Sequence, residues 1–164
     1  MQILIAYGSR RGGTAGLAEM IGGELVRSGL EATVRPARGV KSLEGYDAVV
    51  VAGALYAMRW HRDARRFTRR HGEALRARPV WFVSSGPLDD SAAAGQIPPV
   101  TQVATAMASV GARGAVTFGG RLEPTAKGFP ASAMAKKHSG DWRGAQQVHE
   151  WAVSIAAELG VDQS

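Results

Sequence analysis

The sequence predicts an α/β protein with one parallel β-sheet and helices on both faces, a three-layer α/β/α arrangement. Three observations lead there. Val- and Ile-rich runs alternate with segments of helical periodicity along the chain. The first run, "QILIAY" (2–7), is almost continuously apolar, as a strand covered on both faces must be. The chain has 164 residues with no internal repeat or low-complexity tract, which suits one domain over 1–164.

Each element has its own signal. After the strand at 2–7, residues 14–28 place Leu17, Met20, Ile21, Leu25 and Ser28 on one helical face, and Gly29 stands where a left-handed cap is expected. "EATVRP" (31–36) reads as a second, more exposed strand ended by Pro36, and 37–45 as a polar connector. "YDAVVVAGA" (46–54) is the third strand. Helix 61–76 follows, with Ala64, Phe67, Thr68, His71 and Leu75 inward and its arginines mostly outward. "PVWFVSS" (79–85) is the fourth strand. Val100, Val103, Ala104, Met107 and Val110 mark another helix, and "GAVTFGG" (114–120) the fifth strand. A Gly/Pro-interrupted segment (120–140) precedes a last helix, which Asp141 can cap and which Val148, Trp151, Ala152, Ile155 and Leu159 pack down.

Composition narrows the function. There is no cysteine, which excludes disulfides, thiol nucleophiles and Cys-ligated metals or iron–sulfur clusters. His61, His71, His138 and His149 lack metal-ligand spacing, and neither a Ser/His/Asp arrangement nor a carboxylate pair is evident. The chain enters a strand directly, without a basic-then-apolar leader, and no apolar run nears the length of a membrane span; the expectation is a soluble cytoplasmic protein. The net charge of +6 is local. Of the 20 Lys and Arg residues, eight arginines lie within 59–78 beside only Asp63 and Glu73, and the remainder of the chain is balanced. Such a segment is either a solvated helix face or a docking surface for an acidic partner or an anionic membrane at helix 61–76. No recognition motif accompanies it, which argues against nucleic acid. Segment 125–138, with Phe129, Met134, Lys136 and Lys137, is a second candidate for touching a bilayer or a partner.

In an open parallel sheet, ligands bind beyond the carboxyl ends of the strands. Three loops reach that edge. In "GSRRGGT", Gly12 and Gly13 free backbone N–H groups to face an anion, Ser9 and Thr14 add hydroxyls, Arg10 and Arg11 add charge, and the next helix turns its positive end there. The loop is neither a Walker loop nor a G-x-G-x-x-G fingerprint; it suits a terminal phosphate monoester. The second loop, Ala54, Leu55, Tyr56, Ala57, Met58, Arg59 and Trp60, offers aromatic rings to flank a flat ligand, or else to cover the sheet's end. The third begins Ser84, Ser85, Gly86, Pro87, Leu88, whose hydroxyls and backbone suit the polar edge of a heterocycle, or else form a plain connector. A phosphate cradle beside a slot for a planar ring describes flavin mononucleotide (FMN).

Four blocks, "ILIAYGSRRGGTAGLAEMI", "YDAVVVAGALYAMRWHRDARRFTRRH", "PVWFVSSGPL" and "GDWRGAQQVHEWA", resemble in order and spacing a flavodoxin-like family, and within it the branch of menaquinone-dependent protoporphyrinogen oxidase. The resemblance implies a five-stranded sheet in order 2-1-3-4-5 and non-covalent FMN. It places the phosphate loop on Ser9 to Thr14 and the ring-flanking segments on Ala54 to Trp60 and Ser84 to Leu88. It implies an electron-transfer protein or FMN-dependent oxidoreductase linked to a quinone or a porphyrinogen. The sequence departs from the resemblance in its basic charge, in Gly53–Ala54 where Ser or Thr is frequent, and in a short segment before the last helix. A module of the same fold that has lost FMN and works through contacts stays open as the alternative. With Arg59, Arg10 and Arg11 near a flavin, the two-electron potential is expected to be less negative than in an acidic flavodoxin.

Overall fold

The computed structural model describes residues 1–8, 13–56, 59–85, 101–118 and 142–160. In chain order they form strand β1 (Gln2–Gly8), helix α1 (Gly13–Arg27), β2 (Glu31–Pro36), a 3-10 turn (Ala37–Gly39), β3 (Ala48–Tyr56), β4 (Arg59–Trp60), α2 (Arg62–Arg70), α3 (Gly72–Arg76), β5 (Val80–Ser85), α4 (Thr101–Val110), β6 (Gly114–Phe118) and α5 (Trp142–Glu158). Five strands are parallel in the order β2-β1-β3-β5-β6, which is 2-1-3-4-5 once the two-residue β4 is set aside. β4 pairs antiparallel with the end of β3, matching Leu55 to Trp60 and Tyr56 to Arg59.

Alternation along the strands divides the core into two layers. Ile3, Ile5, Val50, Ala52, Trp81 and Val83 face the side of the sheet covered by α1 and α5, through Leu17, Ile21, Leu25, Val148, Ala152 and Ile155. Leu4, Ala6, Val49, Val51, Val80 and Phe82 face the other side, covered from α2 to α4 by Ala64, Phe67, Leu75, Val103 and Val110. Burying both faces of β1, β3 and β5 is why these strands read as unbroken apolar runs. Each Ile, Leu or Val withdrawn from water contributes about 1.5–3 kcal/mol.

The caps follow the sequence where glycine marks them. Gly29 has φ 96°, and the N–H groups of Leu30 and Gly29 donate to the carbonyls of Leu25 and Val26. This paired closure of α1 needs a left-handed residue at position 29. One expectation is revised. Helix 61–76 is two helices, because His71 leaves helical geometry (φ −105°, ψ 20°) and α3 restarts at Gly72. The helix expected around Val103 to Val110 is α4, in which Val103 and Val110 turn inward and Ala104 is exposed. Arg78 ties the connector down by donating to the carbonyls of Leu43 and Tyr46. Among the described residues no helix is long and apolar enough to cross a membrane. The Asp141 cap and segment 125–138 lie outside them.

Candidate functional site

Register fixes what stands at the carboxyl edge of the sheet. Gly8 pairs with Gly53, Gly53 with Ser84, and Ser84 with Thr117, so these four residues form one row across β1, β3, β5 and β6. They continue the alternation of Ala6, Val51 and Phe82 and therefore face α2 and α4. Two members of the row are glycines, and the packing above them explains why. A Cβ on Gly8 would lie 2.8 Å from Nδ1 of His61 and 3.0 Å from the backbone nitrogen of Ala64. A Cβ on Gly53 would lie 2.6 Å from Nε1 of Trp60 and 2.8 Å from Cβ of Ala64. The first turn of α2 thus descends onto the strand ends, next to the start of the loop that follows β1.

His61 makes that descent possible. It precedes α2 in extended geometry, and its Nδ1 accepts from the backbone N–H of Asp63 at 3.0 Å, the task usually done by Ser, Thr, Asp or Asn. The ring is thereby held in the tautomer with its proton on Nε2. Histidine is not one of the usual capping residues, so its type carried no capping signal; the part played by Gly8 was missed because it depends on a contact between distant segments.

The sequence-expected site residues divide into three groups. Ser9, Arg10, Arg11, Gly12, Ala57, Met58, Gly86, Pro87 and Leu88 lie outside the described residues. Gly13 opens α1, Thr14 follows it, and Ala54, Leu55, Tyr56, Arg59, Ser84 and Ser85 sit at the ends of β3, β4 and β5. Ala54 and Ser84 are buried, and Leu55 and Ser85 are half-buried. The structure therefore brings the ends of the first, second and third loops to one edge of the sheet.

Trp60 differs from the rest: of the two expectations for its loop, flanking a ligand or covering the sheet's end, its position matches the second, because the β3–β4 hairpin folds its indole into the core, 1% exposed. There it stacks on Phe82 at 5.0 Å between centroids. Its backbone is locked too: its N–H donates to Oε1 of Gln102 on α4, and its carbonyl accepts from Nε of Arg65. Gly53 is small because this indole lies over it.

Thr14 carries the strongest local signal. It is 1% exposed in the first turn of α1, yet among the described residues its Oγ1 has no hydrogen-bond partner. Leaving a buried hydroxyl unpaired costs about 1–3 kcal/mol. The first turn of α1 also holds no acidic residue, so nothing in it neutralises the positive end of the helix dipole. An unpaired hydroxyl, the helix-terminal N–H groups that have no partner within the helix, and the Gly-rich sequence before it form an arrangement an anion would complete. An FMN phosphate fits this donor set. Among the described residues no cluster of His, Asp or Glu is arranged to hold a metal ion.

Comparison with known proteins agrees with this architecture. A flavodoxin domain model matches residues 4–127. A flavodoxin from Streptococcus pneumonia TIGR4 superposes with a TM-score of 0.64 at 18% identity, over 96% of this chain and 99% of that one. A flavodoxin from the domain Archaea gives 0.63 at 17% identity, over 98% and 99%. Oxidised Flavodoxin 2 from Bacillus cereus gives 0.63 at 19% identity, over 96% and 99%. No curated protein matches the chain.

Proposed function

The chain belongs to the flavodoxin domain family, and from that premise we propose that it binds FMN at the carboxyl edge of its sheet and acts in electron transfer or as an FMN-dependent oxidoreductase. The observation that carries the reading is the buried, partnerless hydroxyl of Thr14 in a helix turn without acids. In this reading Thr14 and the N–H groups opening α1 hold the phosphate together with the 9–12 loop. The ends of β3 and β5, at Ala54 to Tyr56 and at Ser84 and Ser85, border the ring.

Bound FMN supplies one- and two-electron chemistry that no side chain can. The chain's own residues bind, orient and screen. Gly8 and Gly53 let α2 and the β3–β4 hairpin close over the strand ends, and the stacked Trp60–Phe82 pair keeps water out of the layer beneath. The finer reading is exchange with a quinone or a porphyrinogen. Its support is the four sequence blocks and a local basic charge that would favour the anionic reduced flavin.

The test is the absorbance spectrum of the purified protein before and after addition of FMN. A bound-flavin spectrum, with flavin fluorescence quenched on titration, is expected. A protein that stays colourless in excess FMN would overturn the reading in favour of a contact module that has lost the cofactor.

A further inference from the structure

Of the five arginines of α2, only Arg65 is tied to another group among the described residues, through the carbonyl of Trp60. Arg62, Arg66, Arg69 and Arg70 are all exposed. Spacings of four and three residues set Arg62, Arg66 and Arg69 in one outward line, about 10 Å long at 1.5 Å per residue, with Arg70 beside it. Among the described residues none of the four makes an ion pair or a hydrogen bond, whereas the neighbouring Arg65 and Arg78 are both used on backbone carbonyls.

The arrangement works against the helix. Arg62 and Arg66, and Arg66 and Arg70, are like charges at i,i+4, which destabilises a helix. Arg62 also sits in the first turn, where the dipole disfavours a cation. Only Arg69 and Arg70, in the last turn, are favourably placed. The 3-10 turn, whose Arg38 is exposed, packs against α2 and adds a further cation nearby.

From these observations we propose that the outward face of α2 is the docking surface for an acidic protein. Charge complementarity selects the occupant. A second copy of this face would repel it. A bilayer surface calls for apolar side chains beside the cations, but Ala64, Phe67 and Thr68 of α2 are turned into the core. The large hydrophobic side chains that are exposed among the described residues, Met1 and Val26, belong to other elements. The face starts where α2 meets Gly8, so a bound partner sits beside the carboxyl edge of the sheet. That a redox centre lies there rests on the function proposed above; the docking itself does not.

The experiment uses the full chain, with and without FMN, against two acidic probes, a [2Fe–2S] ferredoxin of strongly negative charge and poly-L-glutamate, followed by fluorescence anisotropy. Binding is expected at low salt, weakening about ten-fold between about 50 and 200 mM NaCl as the charges are screened. The double variant R62Q/R66Q is expected to lose about ten-fold in affinity, while R27Q/R113Q, which removes equal charge elsewhere, changes it less than about two-fold. The result should be the same without flavin, so a failure to bind FMN leaves this test intact. Equal losses in both variants, or no binding of either probe, would overturn the proposal. So would phosphatidylglycerol vesicles or duplex DNA binding more tightly than the acidic probes through the same arginines.

Discussion

Gly53 and Trp60 are matched: the indole Nε1 of Trp60 lies 2.6 Å from where a Cβ on Gly53 would be. The indole has no room to retreat, since it stacks on Phe82 and its backbone N–H is held by Gln102. Gly53→Ala is therefore expected to cost about 1–3 kcal/mol, as overpacking does. In a Trp60→Leu background the same substitution should cost less, with a coupling of about 1–2 kcal/mol. Urea denaturation of the four variants measures both; additive costs would show that the contact is not what keeps position 53 small.

Thr14→Val should separate stability from binding. Removing an unpaired buried hydroxyl leaves the flavin-free protein as stable as the parent or more so, by up to about 1 kcal/mol. The same change removes a donor to the phosphate and should weaken FMN binding about ten-fold, or about 1.4 kcal/mol. Thermal unfolding and calorimetric titration read the two effects. A variant that is destabilised and binds FMN unchanged would show that Thr14 serves only the fold.

His71 predicts a pH dependence. It is buried against Phe67, its ring nitrogen Nε2 donates to the carbonyl of Val40, and its pKa lies below the ordinary 6.5. Burial is the main cause; the bond to Val40 opposes it and the charge of Arg70 reinforces it. A folded pKa below the unfolded one means the unfolded chain takes up the proton first. The contribution is thus complete above about pH 6.5 and is lost as pH falls through the folded pKa. His71→Gln, neutral and still able to donate, should flatten the fall in denaturant midpoint between about pH 7 and pH 5. An unchanged slope would assign acid sensitivity to other groups.

Arg59 predicts a potential. It sits in β4, paired in register with Tyr56 at the end of β3. A cation near reduced flavin favours the anion by about 1–3 kcal/mol. Arg59→Gln should make the two-electron potential of the FMN-loaded protein more negative, and the parent should lie above an acidic flavodoxin. Potentiometry that finds no difference on either count removes the electrostatic argument.

The fold was legible because each strand buried on both faces is a short apolar run, and because glycine or a change of period punctuates most elements. The sheet order came from resemblance, since strand order is a property of contacts between distant segments. At the site, the Thr14 hydroxyl and the meeting of three loop ends were legible from local residues. For Trp60 the sequence left flanking a ligand and covering the sheet's end both open, because the two-residue return strand β4 that turns it inward is invisible to periodicity. The break at His71 was hidden because the apolar stripe continues in phase through Leu75. Gly8 read as the start of a loop and Gly53 as part of a strand, yet both are kept small by the segment around Trp60, His61 and Ala64 that folds back over them.

In the proposed function the amino end of α1, with Thr14, holds the phosphate of a flavin nucleotide. Calorimetric titration of the flavin-free protein with FMN and with riboflavin tests it most directly, because the ligands differ only in that group. FMN is expected to bind at least about 100-fold more tightly, about 2.7 kcal/mol, with the margin narrowed in Thr14→Val. Equal affinity for the two ligands, or binding of neither, would contradict it.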